Sequence, residues 1–105
     1  MEALIVFGTF PNVETARSIA RTLVEEQLAA CGNLIPHVES IYRWKGVVET
    51  SAEVLVLFKT TRSSYPSFEA RLRDLHPYEL PEIVAVSPDA GLPDYLKWVV
   101  ENSGA

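Results

Sequence analysis

A single cysteine, Cys31, leaves this chain unable to form an internal disulfide and suits a reducing compartment. A basic surplus is also missing, since nine Lys and Arg stand against fourteen Asp and Glu, for a formal charge of -5. Nucleic-acid binders carry a basic footprint and release counterions through it, so no nucleic-acid partner is expected. An acidic balance instead tolerates or attracts cations. The apolar runs Leu4 to Phe7, Val54 to Phe58 and Ile83 to Val86 are far too short to span a bilayer. Nothing resembles a cleaved leader with a basic start and a small-residue exit, so the expectation is a soluble, cytoplasmic protein with no membrane partner. A nucleophile elbow, a phosphate-cradling glycine loop, an HExxH pair and a CxxC pair are all absent. The chain is therefore read as a non-enzyme, with no catalytic residue and no organic cofactor.

What is present is enough apolar content, 48% of 105 residues, for one domain with one core over residues 1–105. Ala3 to Phe7, ending at Gly8, reads as a buried strand. Asn12 is a candidate N-cap for a helix whose apolar positions run from Val13 through Ala16, Ile19, Ala20, Leu23 and Val24 to Leu28, with Gly32–Asn33 as its end. Cys31 then falls in the core. Strand chemistry follows, with Pro36 marking an edge or a bulge, Ser40 to Trp44 as one arm, and Lys45–Gly46 reversing the chain into Val47 to Thr60. Fourteen extended residues would reach roughly 46 Å, whereas a compact chain of this size is about 35 Å across. Either this strand breaks near Thr50–Ser51, or it overhangs its own sheet and offers an edge to another subunit. Tyr42 and Trp44 fall on one face by alternation, and they are large rigid anchors of the kind that fill subunit interfaces.

A second helix is predicted from Tyr65 to Leu75, with Ser63–Ser64 as its entry, Pro66 in its first turn and His76–Pro77 at its end. Ile83 to Val86 forms the last core strand. A short terminal helix after Leu92–Pro93–Asp94 carries Tyr95, Leu96, Val99 and Val100 inwards, with Trp98 sealing the core or an adjoining subunit. The order β, α, β, β, α, β, then α gives an α+β, ferredoxin-like βαββαβ sandwich with a long β-hairpin and an extra C-terminal helix.

Between the second helix and the last strand lies His76-Pro77-Tyr78-Glu79-Leu80-Pro81-Glu82, in which each proline fixes its own φ and pushes the preceding residue towards extended geometry. The segment is a stiff arm. It either caps neighbouring backbone or holds its imidazole and carboxylates for a ligand. His76 is the first candidate metal ligand, with Glu79 or Glu82 completing the shell from the same arm or a neighbouring chain; a helix-terminus cap is its alternative role. His37 reads as a loop residue, and Glu39, Glu49 and Glu53 either line a cleft or form a solvated face.

Leu28-Ala29-Ala30-Cys31, Asn33-Leu34-Ile35-Pro36, Ser40 to Gly46, Leu57-Phe58-Lys59-Thr60, His76 to Glu82 and Tyr95-Leu96-Lys97-Trp98 occur in an order that resembles the CutA divalent-cation tolerance family. The resemblance covers nearly the whole chain. It implies a ferredoxin-like subunit in a homotrimer whose long strands pair across subunit borders, and a role in tolerance of divalent metal ions, with copper the usual candidate. Some members carry a Cys at the end of the first strand and two adjacent His before the Pro-Tyr pair; the matching positions here are Gly8 and Leu75–His76. Imidazole with carboxylates suits Cu(II) or zinc, whereas thiolate selects Cu(I). A second expectation is a small-ligand-sensing signalling trimer similar to PII-type regulators.

Overall fold

The computed structural model describes residues 2–104, so residues 1 and 105 of the expected domain lie outside it. Strand β1 (Ala3–Phe10) turns Leu4, Val6 and Phe10 to one face. After it, Asn12 accepts from the Thr15 N–H at 2.8 Å and caps helix α1 (Val13–Glu25), which buries Ala16, Ile19, Ala20 and Leu23. Strands β2 (Cys31–Trp44) and β3 (Val47–Thr61) form the hairpin, α2 (Tyr65–Leu75) follows with the predicted bounds, and β4 (Val84–Val86) and α3 (Pro93–Asn102) complete the chain. The sheet order is β2-β3-β1-β4 with every pair antiparallel, which is the ferredoxin-like α+β arrangement expected.

The core lies between the sheet and helices α1 and α2. Val54, Val56 and Phe58 of β3 stand beside Phe10, Gly8 and Val6 in register and meet Phe68 and Leu72 of α2. Phe58 has edge-on contacts with Phe10 at 6.3 Å and Phe68 at 5.1 Å, so truncating it to Ala would cost about 3–5 kcal/mol.

The long strand is not broken. β1 pairs with β3 only from Thr61 to Val54, and residues 47–53 of β3 keep β2 as their one strand neighbour. The hairpin thus overhangs the sheet and stretches the chain to 43 Å in a body 26 and 22 Å across. Lys45 (φ 51°) and Gly46 (φ 82°) reverse it through two left-handed residues, the turn whose twist suits a two-residue hairpin. Pro36 does mark a bulge, because the register slips between Ile35 and Val38; His37, expected on a loop, instead lies within β2, exposed and with a φ of 65° at that bulge.

Four other expectations need correction. Helix α1 stops at Glu25 rather than running to Gly32, because Gln27 turns left-handed (φ 60°) and the N–H groups of Leu28 and Ala29 both return to the Leu23 carbonyl. Gly32 is a strand residue, and a Cβ there would stand 3.3 Å from the Phe58 ring. Cys31 opens β2, half-buried and outside the core, with its Sγ 3.7 Å from the Tyr95 hydroxyl. Tyr95 does not point inwards but stacks on Trp98 at 5.6 Å, both about two-fifths exposed, while Val99 alone of α3 is fully buried. The last strand is an edge rather than core, with Val84 53% and Val86 44% exposed.

These two valines belong to the face of the sheet away from α1 and α2. By register, Ile5, Phe7, Ile35, Leu55 and Leu57 share that face, and α3 covers only the end near Ala3 and Cys31. Among the described residues this second apolar face is left partly exposed, most of all at Ile35, Val84 and Val86.

Candidate functional site

Beyond Phe10 the overhanging hairpin and the 76–82 arm diverge around a groove of about 930 Å³. The hairpin wall presents Tyr42, Trp44, Glu49 and Glu53, and the arm presents Tyr78, Glu79 and Glu82. Tyr42 and Trp44 are two residues apart on β2, so alternation sends both to the same wall, where the Tyr42 hydroxyl lies 2.7 Å from Ser51 Oγ.

The arm is fixed by His76. As α2 ends, the His76 N–H closes the helix on the Leu72 carbonyl, and Pro77 keeps His76 extended (φ -73°, ψ 134°). Its ring is buried, stacked on Phe10 with centroids 4.7 Å apart and tilted against Tyr78 at 4.7 Å. Nε2–H donates to the Thr9 carbonyl at 2.7 Å, while Nδ1 accepts from the Tyr78 N–H at 3.2 Å. The imidazole is therefore neutral with its proton on Nε2. Burial pushes its pKa below the ordinary value, against the pull of the Thr9 bond and the Glu53 charge.

Tyr78, seated on His76, reaches across the groove and donates its phenol proton to Glu53 Oε2 at 2.6 Å. Burial first, and this bond second, drive the Tyr78 pKa well above the usual phenol range. Arm and hairpin are thus tied by one charge-assisted hydrogen bond.

The structure places the predicted site residues unequally. Glu79, Glu82, Glu49 and Glu53 share the groove with Tyr42 and Trp44, whereas Glu39 and His37 are exposed outside it. His76 stands behind Tyr78 with both nitrogens engaged, and a metal would reach it only by displacing one of those bonds. Among the described residues, no group of three His, Cys, Asp or Glu side chains is placed to hold a metal ion. One chain does not supply a complete metal shell there. Sequence reasoning missed the Thr9 carbonyl and the pairing of Tyr78 with Glu53; a main-chain oxygen leaves no mark in a sequence, and the pairing spans 25 residues.

These features define a class of antiparallel α+β domain with an overhanging hairpin and an acidic, aromatic groove at its root. A family model described as CutA1 divalent ion tolerance protein matches residues 4–102. The divalent-cation tolerance protein CutA of Thermus thermophilus is 49% identical over 100 residues, covering 95% of this chain and 97% of that one. The mouse protein CutA is 47% identical over 93% of this chain, which spans 59% of the mouse protein's length. Among solved structures, the divalent cation tolerance protein Cut A1 from Thermus thermophilus superposes with a TM-score of 0.94 at 48% identity, covering 97% of this chain and 99% of that one. CutA1 from Oryza sativa reaches a TM-score of 0.95 at 34% identity, covering 99% and 95%. The chain belongs to the CutA1 divalent ion tolerance family.

Proposed function

We propose that this chain acts as a non-catalytic, cytoplasmic homotrimer of divalent-cation tolerance that takes Cu(II) or another divalent cation at its grooves. Membership of the CutA1 family over residues 4–102 carries the metal role. The trimer is supported by the edge of β3 over residues 47–53, which pairs with no strand but β2 among the described residues, and by the partly exposed apolar face around Ile35, Val84 and Val86. Both are surfaces that a second copy of the chain would cover. In the groove Glu79 and Glu82 supply oxygen donors, and a neighbouring copy supplies those that one chain lacks. His76 enters the shell only by exchanging one of its hydrogen bonds for the metal. No helix among the described residues is long and apolar enough to cross a membrane, and Cys31 is free, as suits the cytoplasm.

Native mass spectrometry with and without Cu(II) tests both parts at once. The expected spectrum is a trimer that gains copper in multiples of three and loses it in the Glu79→Gln/Glu82→Gln variant. A persistent monomer, or copper uptake indifferent to the two substitutions, would overturn the proposal. A small-ligand-sensing trimer is the second reading, favoured by a groove whose volume falls in the range of small-molecule sites.

A further inference from the structure

Divalent metals are held by several oxygen or nitrogen donors converging on one point. Carboxylates spread along a groove with aromatic walls suit a different ligand. An alkylammonium keeps its own hydrogen-bond donors, needs a single carboxylate for each charge, and lays its methylene stem on ring faces.

The groove at the root of the hairpin has this second character. Glu49, Glu79 and Glu82 line it without forming an ion pair among the described residues, and they do not gather into a three-donor cluster. Glu53 is committed to the Tyr78 phenol. Arg43, the cation in the lining, is turned towards the Gly46 carbonyl at 3.5 Å, so the cavity keeps a negative excess. Three rings, those of Tyr42, Trp44 and Tyr78, stand among these carboxylates. The chain supplies its own precedent for the contact, because the Lys45 ammonium sits 5.5 Å from the Trp44 ring centroid. Trp44 thus already takes an alkylammonium, tethered one residue away.

We infer that this groove binds a linear organic polycation, a polyamine, with ammonium groups paired to Glu49, Glu79 and Glu82 and its methylenes along Tyr42, Trp44 and Tyr78. The inference rests on the groove named in the proposed function but not on its metal. Charge complementarity selects the occupant: an anionic or neutral metabolite would meet uncompensated carboxylates, whereas a polyamine pairs with each carboxylate singly and needs no donors from a second chain.

Isothermal titration of the assembled protein with spermidine at physiological salt tests it, with Mg(II) as the inorganic comparison. One spermidine per groove is expected, bound at least about tenfold tighter than Mg(II). Glu79→Gln/Glu82→Gln should weaken binding about tenfold, and Trp44→Leu about threefold, with the native melting curve retained. Spermidine binding no tighter than Mg(II), or equal affinity in wild type and both variants, would overturn the inference; so would a preference for an arginine-rich peptide, which would assign the groove to a protein partner. Titrating Cu(II) into the same samples separates the two proposals. Copper uptake without spermidine binding removes only this one, and spermidine binding without copper uptake removes only the metal reading.

Discussion

His76 is held neutral by geometry, because its Nδ1 accepts a main-chain N–H and a second proton there would set donor against donor. Burial keeps its folded pKa below the ordinary 6.5, so under that pH the unfolded chain takes up a proton that the folded chain refuses. Stability from this group is therefore complete above about pH 6.5 and is lost as pH falls towards the folded pKa. Urea midpoints measured from about pH 7.5 down to about pH 5 should fall in the wild type, and His76→Gln should lose this part of the slope while starting about 2 kcal/mol lower. An unchanged slope in the variant would remove His76 as its source. The neighbouring bond gives a separate test. Tyr78→Phe deletes the donor to Glu53 at 2.6 Å and is expected to cost about 1 kcal/mol. A double-mutant cycle with Glu53→Ala, which removes the acceptor, should return most of that loss as coupling energy, since each single change removes the same contact.

Among the elements, those marked by backbone chemistry were legible and those marked by composition were not. Pro66 and Pro77 bracket α2, and its observed ends are the predicted ones. Lys45–Gly46 was readable as a reversal because a two-residue turn needs left-handed φ at both positions, which glycine adopts freely. The end of α1 was hidden, because Gln27 occupies the left-handed position that usually advertises itself as Gly or Asn. The apolar period continues past it through Leu28 and Ala29, so the helix looked longer than it is. Gln27 is exposed at φ 60°, and its bond to the Gly104 N–H uses only its main-chain oxygen. Gln27→Gly should therefore raise stability by about 0.5–1 kcal/mol, read as a shift in the denaturant midpoint at constant slope. A loss instead would mean that the Gln27 side chain supports the turn. The outward stack of Tyr95 on Trp98 was equally unreadable, since helical spacing alone does not say how far round a short helix its apolar stripe extends. In the groove, the arm and its carboxylates could be named from Pro77 and Pro81, but whether they meet the hairpin depended on pairings that span the whole chain.

At the scale of the molecule, the mismatch between strand length and body size was already visible as arithmetic. Its resolution, an overhang rather than a break, follows from register: β1 runs out at Phe10 opposite Val54 while β3 continues to Val47. The partly exposed face makes the same point independently. Val84 and Val86 on the edge strand continue the apolar surface of Ile5 and Phe7, and both are left about half exposed among the described residues. Two unmet demands, for backbone partners along β3 and for apolar cover along β1 and β4, are what association with further copies would satisfy. Val84→Arg distinguishes a packed assembly from a chain that merely tolerates an exposed face. Within one subunit the change falls at a half-exposed site and should leave the circular dichroism spectrum intact. Across a subunit border it would bury an unpaired charge and weaken association by about 3 kcal/mol or more. Sedimentation equilibrium should then show smaller species at dilutions where the wild type stays assembled, while Arg17→Glu on the wet side of α1 leaves the mass unchanged. If Val84→Arg matches the wild type in mass and melting temperature at every concentration, the sheet face around β4 is not where the copies meet.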